Sequence, residues 1–419
     1  MPVELSAFAR GLKVETAFDV LARARRLKAG GKDVVELQIG DSPFPTPPHA
    51  KAAGVRAIET DQSHYCPSMG LPEFRAAAAE RLNLEHRLGI TAENVVVGPG
   101  AKPFEQFFCE AFLDEGDEVL LFGPQFPTYV PNIERRRAVS VFSQLKSANA
   151  FRPDLRAVAD FVRRPRAKAI FLNSPHNPTG GVATRDDVRG LCDLIRGTGV
   201  ALFSDEPYNH MVWEGEHHTP LAEPGMLEQC VAAYTFSKSY SMSGWRLGYA
   251  VSGPAIAKAI GTMINTSLSC VPPIVQFAGI AALRHDADAR DANMRDFGRK
   301  VKLLAGALTK VPGVKVAPPA GTFYVFPSVA PICNRLRITS HGLALYLLES
   351  ADDAFGVACL GGECFGDAGH GFLRFSTAEP DDRLLRAVAF LPEAFSRADR
   401  VAGYLEQHPE HRLATPYAE

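Results

Sequence analysis

Short apolar runs alternate with helical segments along the middle of the chain. From about residue 71, runs of four or five mostly apolar residues recur, separated by helical segments such as Pro103–Phe112 and Arg185–Thr198. Runs of this kind are typical of strands buried on both faces, as in a parallel sheet covered by helices. The runs that predict strands of this sheet are Asn94–Val97, Glu118–Phe122, Ala169–Leu172, Ala201–Ser204, Val231–Thr235 and Leu247–Val251. The pattern therefore predicts an α/β fold with a mainly parallel sheet between helices.

Both ends of the chain depart from this alternation. Residues 15–29 have helical spacing and stop at Gly30-Gly31, and a short strand is predicted at Val34–Ile39. After about residue 300, short strands are predicted among helices, and we expect a smaller α+β domain there. These later strands are Val314–Ala317, Gly321–Phe326 and Phe372–Ser376. The last residues are polar, contain the sequence QHPEH at 407–411, and predict a peripheral tail.

Size, charge and cysteine usage exclude several classes of protein. The chain has 419 residues, too many for one ordinary hydrophobic core. Its formal net charge of −2, without a block of like charges, argues against nucleic acid or an anionic membrane as the main partner. We expect no membrane span and no secretory signal, because no apolar run has the required length or position. The eight cysteines form no C-x-x-C pair, so we expect reduced thiols in a cytoplasmic protein and no metal site.

Polar residues follow two neighbouring predicted strands, at the sheet edge where α/β proteins bind ligands. Asn177 lies in the proline-rich loop NSPHNPTG at 173–180. Asp205 lies in the sequence SDEPY, at the end of the next strand. A buried carboxylate needs a partner, although an Asp here would also serve as a helix N-cap. Either motif alone is compatible with an ordinary turn or cap.

Cationic residues follow later strands. Lys238 comes directly after Val231–Thr235 among hydroxyl residues, and Arg246 comes eight positions later. Burial lowers the pKa of a lysine and makes it a nucleophile, and hydroxyls with an arginine are typical of a phosphate site. Arg374 lies among apolar neighbours in a predicted strand, where its guanidinium would bind a carboxylate or form an internal salt bridge. A loop of small residues at 98–103 begins a helix and indicates a weaker anion site.

The order of these segments resembles the class I/II aminotransferases, a family of fold-type I pyridoxal phosphate enzymes. The resemblance covers roughly residues 30–390, and its specific parts are NPTG at 177–180, SDEPY at 204–208 and residues 235–248. It implies a seven-stranded sheet, the cofactor pyridoxal 5′-phosphate, a homodimer with shared active sites, and transfer of an amino group between an L-amino acid and a 2-oxo acid. It also implies four regions: an N-terminal arm and part of the small domain (1–44), a large cofactor-binding domain (45–300), a small domain (301–395) and a peripheral tail (396–419).

The resemblance implies roles for individual residues as well. Lys238 would hold the cofactor as a Schiff base and move the proton at Cα, and Asp205 would keep the pyridine nitrogen protonated. Tyr208 and Asn177 would hydrogen-bond the phenolic oxygen. The implied phosphate contacts are Gly100, Ala101, Lys102, Thr235, Ser237, Arg246 and, from the neighbouring subunit, Tyr65. The other implied contacts are Phe126 on the pyridine ring and Gly40, Asn177 and Arg374 at the substrate carboxylate.

The pattern does not specify the side chain of the substrate. No clear second arginine is available for a side-chain carboxylate. Lys102 would suit either an acidic substrate or the phosphate, whereas Glu15 and Asp19, in the segment expected to cover the pocket, would suit a basic or polar substrate. Pro99 and Pro207 depart from the family pattern, but neither position touches the chemistry directly.

Three other functions use the same residues. A relative on the same fold would act as an oxidase, a lyase or a decarboxylase, because the reaction depends on which Cα bond lies perpendicular to the ring. A regulator that binds the cofactor without catalysis usually carries a DNA-binding domain, and only about 30 residues precede the core here. A Ser–Lys hydrolase would use Ser237, but adjacent Ser and Lys have the wrong spacing and Asp205 would have no role.

Overall fold

The computed structural model describes residues 3–12 and 16–418. In chain order its strands are β1 (Asp33–Glu36), β2 (Val95–Gly98), β3 (Glu118–Gly123), β4 (Val139–Gln144), β5 (Ala167–Asn173), β6 (Ala201–Asp205), β7 (Cys230–Thr235), β8 (Gly248–Val251), β9 (Tyr324–Val325), β10 (Phe355–Ala358), β11 (Leu360–Gly361) and β12 (Leu373–Ser376). Its α-helices are α1 (Ala7–Gly11), α2 (Thr16–Ala29), α3 (Pro48–Glu59), α4 (Pro72–His86), α5 (Lys102–Phe112), α6 (Tyr129–Arg135), α7 (Leu155–Val162), α8 (Arg185–Ile195), α9 (Pro254–Leu268), α10 (Pro273–His285), α11 (Ala287–Leu308), α12 (Ala330–Leu336), α13 (Ser340–Glu349), α14 (Asp381–Ser396) and α15 (Ala398–Gln407).

The largest sheet of the described chain has seven strands in the order β2-β8-β7-β6-β5-β3-β4. Neighbouring strands are parallel from β7 through to β4, and only β8 runs antiparallel to its neighbours β7 and β2. The prediction of a mainly parallel sheet is confirmed, and all six strands predicted from apolar runs belong to it. Because β5, β6 and β7 are parallel, their carboxyl ends share one edge, where Asn173 pairs with Asp205 and β7 ends at Thr235.

The seventh strand, β4, was not predicted from the apolar pattern. It pairs with β3 alone, at the end of the sheet order, and its Val139 and Phe142 are 50% and 56% exposed. Because side chains of this edge strand are exposed to solvent, the strand does not require the continuous apolar run that marks a strand buried on both faces.

Helices cover this sheet, and local sequence sets their ends. Helix α8 begins with a capping box in which Thr184 and Asp187 exchange side-chain and backbone hydrogen bonds. It ends at Ile195, three residues before the predicted end, and Gly197 follows with a φ of +74° that a helix cannot contain. No helix in the described part of the chain has both the length and the apolar character needed to cross a bilayer.

Two smaller sheets form from the ends of the chain. β1 pairs in parallel with β10, and β12 lies between β11 and β9 in an antiparallel sheet. The strand predicted at Val314–Ala317 is wrong, because only an isolated bridge between Lys315 and Ser328 forms there. Two prolines follow directly at 318–319, and proline lacks the N–H that would extend a ladder.

The C-terminal residues are more ordered than the term peripheral tail suggests. After α14, helix α15 buries Val401, Tyr404 and Leu405, which share one helical face at spacings of three and four. Farther on, the Tyr417 hydroxyl donates to Glu363 Oε1 at 2.6 Å. The tail therefore packs as an amphipathic helix against α13, where the Tyr404 ring meets that of Tyr346, and continues as an anchored segment.

Candidate active site

A cavity of about 510 Å³ lies at the carboxyl ends of β5, β6 and β7. Most of the residues predicted for the site line it: Gly40, Ala101, Lys102, Phe126, Asn177, Asp205, Tyr208, Thr235, Ser237, Lys238, Arg246 and Arg374. Gly100 lies just behind this wall, where a Cβ atom would come within 2.7 Å of an Arg246 nitrogen. Tyr65 does not line the cavity and is 89% exposed. The fold thus gathers residues that are up to 334 positions apart between Gly40 and Arg374.

Asp205 is the last residue of β6 and is 6% exposed. Its Oδ2 accepts a hydrogen bond of 2.5 Å from the Tyr129 hydroxyl. Burial raises the pKa of the Asp205 carboxyl to about 6, although the Tyr129 hydrogen bond and the nearby lysines oppose that shift. A carboxylate held in this way is suited to pair with a cationic group inside the cavity.

Lys238 lies at the same edge of the sheet as Asp205, three residues after the end of β7. Its Nζ donates to the backbone oxygen of Gly40 at 2.5 Å and lies 5.9 Å from the centre of the Phe323 ring. Gly40 has no room for a side chain, because a Cβ there would overlap the Tyr324 hydroxyl. The close approach of this backbone gives the Lys238 amine a fixed position within the cavity.

A hydrogen-bonded chain connects the two smaller sheets to the loop after β5. Arg374 donates to Asn177 Oδ1 at 3.0 Å and to the backbone oxygen of Gln38 at 2.7 Å, and its guanidinium lies 4.2 Å from the centre of the Tyr324 ring. Asn177 Nδ2 reaches the Tyr208 hydroxyl at 3.4 Å. Burial, with Tyr324 close by, raises the pKa of Tyr208 well above its ordinary value, so that hydroxyl stays protonated and remains a donor.

The residues expected at the phosphate surround one end of the cavity. The Ser237 backbone N–H donates to Thr235 Oγ1 at 3.2 Å, and the Thr235 hydroxyl lies 2.9 Å from that of Ser237. Arg246 donates to the backbone oxygens of Ser243 and Pro99. Gly100, with a φ of +96°, lets the backbone approach Arg246 where any Cβ would collide. Hydroxyls, a guanidinium and the amino end of α5 make this a suitable site for a phosphate.

These features fit pyridoxal phosphate. The buried Nε of Arg374 has no hydrogen-bond partner among the described residues, and Arg374 lines the same cavity as Asp205 and Lys238. A carboxylate for a ring nitrogen, an amine for an aldehyde, and a donor set for a phosphate are the groups that this cofactor requires.

Comparison with known proteins agrees with this geometry. The model of the family described as aminotransferase class I and II matches residues 32–390. The chain belongs to this family. It is 34% identical to the probable aspartate/prephenate aminotransferase of Aquifex aeolicus over 91% of this chain and 96% of that protein. It is 31% identical to the aspartate aminotransferase of Pyrococcus horikoshii over 87% of this chain and 91% of that protein.

Solved structures extend the comparison to the fold. The aspartate aminotransferase of Thermus thermophilus, in a structure with maleate, superimposes with a TM-score of 0.87 at 31% identity, over 94% of this chain and all of that one. This aminotransferase therefore has the fold-type I architecture and uses pyridoxal phosphate to transfer an amino group between an amino acid and a 2-oxo acid.

Two residues of the aminotransferase site were not predicted from the sequence. Tyr129 holds Asp205, and Tyr324 contacts both Tyr208 and Arg374. The signals for them were weak, because Tyr129 is the first residue of α6 and Tyr324 lies in a stretch predicted only as a strand. Their partners are 76 and 116 positions away for the hydrogen bonds, so no local pattern connects them.

The helix that covers the cavity contributes apolar rather than acidic side chains. Ala17 and Phe18 of α2 are among the lining residues. Asp19, which the sequence suggested for a basic or polar substrate, instead pairs with Arg23 at 3.1 Å on the same helix. Glu15 lies outside the described residues. The described part of this segment therefore gives no support to a cationic substrate.

A buried ionic cluster lies behind the loops that carry Tyr208 and Lys238. Glu85 of α4 contacts His210 and Arg290, each at 3.2 Å, and His210 Nδ1 lies 3.3 Å from the Ser239 hydroxyl. Burial alone would raise the pKa of Glu85, but its hydrogen bond with His210 and the charge of Arg290 lower it to about 2. The cluster links two helices to both loops, so it stabilises the positions of the loops.

Proposed function

We propose that this aminotransferase uses a dicarboxylic amino acid, such as aspartate, as its amino donor. The observation that carries the proposal is that Lys102 and Arg374 line one cavity, from α5 and β12, so a bound dicarboxylate would lie between two cationic side chains. The names of the relatives support it, since they refer to aspartate or to aspartate/prephenate. The structural neighbour that contains maleate, itself a dicarboxylate, gives further support.

Lys102 is the residue proposed to contact the side-chain carboxylate. Its ammonium lies 5.2 Å from the centre of the Phe126 ring, the ring expected to stack on the cofactor. This position is compatible with the edge of a bound substrate. A role at the cofactor phosphate, expected from the family pattern, remains the competing assignment for Lys102.

The proposed roles of the other residues follow from their positions. Pyridoxal phosphate, when bound, supplies a protonated ring that withdraws electrons from the substrate Cα. Asp205 keeps the ring nitrogen protonated, and Tyr129 keeps Asp205 in place. Lys238 would hold the cofactor covalently through its Nζ, and when displaced by the substrate its amine would serve as the base that moves the Cα proton. Tyr208 and Asn177 donate to the phenolic oxygen.

Substrate orientation is assigned to the opposite wall. Arg374 binds the α-carboxylate through its two outer nitrogens or through its unpartnered Nε, and Tyr324 supports the guanidinium from one face. With the carboxylate fixed there, the Cα–H bond points toward Lys238, and this geometry favours transamination over loss of the carboxylate. Gly40 closes the wall through its backbone.

The test is a scan of amino donors with 2-oxoglutarate in the wild type and two variants, with oxygen uptake followed in parallel. We expect aspartate to be used far better than leucine or phenylalanine, without oxygen uptake. In Lys102→Met we expect KM to rise by roughly tenfold to a hundredfold for aspartate alone, because one charge-assisted contact of about 1.5–3 kcal/mol is lost. In Arg374→Ala we expect a similar rise for every α-amino acid.

The outcomes separate the assignments. If Lys102→Met lowers cofactor affinity and affects all donors equally, the residue serves the phosphate and the proposed acidic specificity fails. If oxygen is consumed instead of 2-oxoglutarate, the oxidase alternative is correct. An exposed arginine on α8, in the variant Arg189→Ala, is the matched control and should leave all constants unchanged.

We further propose a homodimer, a cytoplasmic location and the division of the chain into regions 1–44, 45–300, 301–395 and 396–419. The exposed ring of Tyr65, which the family pattern assigns to the phosphate of a neighbouring subunit, supports the dimer. All eight cysteines are free thiols in the structure, as is common in a reducing compartment. The separation of the seven-stranded sheet from the two smaller sheets supports the division.

A further inference from the structure

Three potential metal ligands meet in the turn that follows α15. The turn Pro409–His411 brings Glu410 between His408 and His411. Glu410 Oε1 lies 3.5 Å from His408 Nδ1 and 3.7 Å from His411 Nε2, and the three ligand atoms all lie within 4.8 Å of one another. The cluster contains two imidazoles and one carboxylate, and it lies outside the active-site cavity.

These separations suit a tetrahedral ion. With metal–ligand bonds of about 2.0–2.2 Å, neighbouring ligand atoms in a tetrahedral site lie about 3.3–3.6 Å apart. The two observed contacts to Glu410 are close to that value before any ion is added. The Glu410 side chain is 62% exposed, so its carboxylate can rotate toward an ion bound by the two imidazoles.

The two imidazoles are held in place by packing. The centre of the Tyr404 ring lies 4.5 Å from that of His408 and 6.0 Å from that of His411, and the Tyr404 and His411 rings are nearly parallel. The His341 ring meets His411 edge-on at 5.7 Å. His411 also sits in a notch left by Gly342, where an added Cβ would lie 2.5 Å from its own. Such support lowers the entropic cost of gathering the ligands.

We propose that His408, Glu410 and His411 bind one divalent transition-metal ion of the zinc class. Two imidazoles select such an ion over Ca²⁺ or Mg²⁺, which prefer sites made of oxygen ligands. The fourth position is open to water. Cysteine spacing gave no sign of this site. The QHPEH sequence matches no recognisable metal-binding motif, and its three ligands come together only through the fold of the turn.

The consequence of binding is a tighter attachment of the tail. The His411 backbone oxygen accepts from Thr339 N at 2.9 Å, and Leu413 N donates to the Arg337 oxygen at 2.8 Å. An ion that fixes this turn would therefore stabilise the contact between the tail and the segment preceding α13. It would leave the aminotransferase reaction unchanged.

The experiment titrates Zn²⁺ into chelator-treated holoenzyme that carries no affinity tag, using calorimetry and thermal unfolding. We expect one ion per chain and, at about 100 times Kd, a rise in melting temperature of about 3 °C for a protein of this size. His408→Gln and Glu410→Gln should each weaken binding at least tenfold. Circular dichroism and activity should stay unchanged, because both side chains lie at the surface of the turn.

The control is His370→Gln, which removes an exposed histidine near the same tail and should bind Zn²⁺ as the wild type does. The proposal is overturned if the stoichiometry stays below one ion per chain. It is equally overturned if the double variant His408→Gln/His411→Gln binds as tightly as the wild type, since the ion would then occupy other groups such as the cofactor.

Discussion

The Asp205 carboxylate is buried and accepts a hydrogen bond from the Tyr129 hydroxyl. Its pKa is raised to about 6, chiefly by burial, in the protein without cofactor. Only the ionised form attracts a protonated pyridine nitrogen. As the pH falls through about 6, Asp205 becomes protonated and this favourable charge is lost. Binding of the cofactor then requires Asp205 to ionise, and this weakens the affinity.

We predict that the affinity of the apoprotein for pyridoxal phosphate rises with pH up to about 6 and levels off above it, as far as Asp205 is concerned. Fluorescence titration of the apoprotein across pH 5–8 would measure this. Asp205→Asn should bind more weakly at pH 7 and lose the rise. A variant that keeps the same pH dependence would assign it to another group.

Individual residues of the site differ in how far the sequence could predict them. Asp205, Lys238 and Asn177 could be predicted to lie close together, because each lies at or after the end of an apolar strand. The carboxyl ends of parallel strands share one edge of the sheet. Tyr129 and Tyr324 could not be predicted in this way, since each acts through a hydrogen bond to a residue far along the chain. Ordinary aromatic residues have no signal of their own until the fold brings them to a polar partner.

At the scale of elements, α4 and α11 are connected by a buried ion pair. Glu85 and Arg290 are mostly buried, and both contact His210. The pKa of Glu85 is lowered to about 2, so the pair stabilises the fold above the ordinary carboxyl pKa of about 4.5. That contribution is lost as the pH falls from about 4.5 to about 2.

We predict that Glu85→Gln lowers the free energy of unfolding by about 2 kcal/mol at pH 7, because it removes one of the two carboxylates, Glu85 and Asp291, that contact the buried Arg290 guanidinium. Denaturant unfolding of the cofactor-saturated protein would measure the loss. Glu80→Gln is the matched control, on the same helix but in an exposed pair with Arg284, and should change the value by at most about 0.5 kcal/mol. Equal effects in the two variants would show that the cluster has no special role.

Strands that are buried on both faces were predictable from the sequence. The six strands with apolar runs, including β2 at the opposite edge of the sheet, are almost entirely buried. The edge strand β4 buries only one of its six residues, and the predicted strand at 314–317 ends at two prolines. Tail helix α15 was missed because its three buried residues form a narrow stripe within a polar sequence.

For the whole molecule, the exposed Tyr65 ring makes a subunit test possible. If Tyr65 serves the neighbouring subunit, a hybrid of Lys238→Ala and Tyr65→Ala chains contains one complete site. We predict that mixing and refolding the two inactive or weakened variants restores roughly a quarter of the wild-type sites, because half of the dimers are hybrids. Unmixed variants are the controls. If mixing restores no activity, Tyr65 acts within its own subunit or has no catalytic effect.

The open edge of the seven-stranded sheet has a consequence for solubility. β4 presents backbone donors and acceptors together with Val139 and Phe142, a surface on which strands from other copies could pair. Three arginines at 135–137 immediately precede it, and in two copies approaching edge to edge these charges would repel. We expect them to act as gatekeepers against aggregation, although Arg136 and Arg137 also pair with Asp114 and Glu115. Neutralising the three arginines should promote self-association through β4.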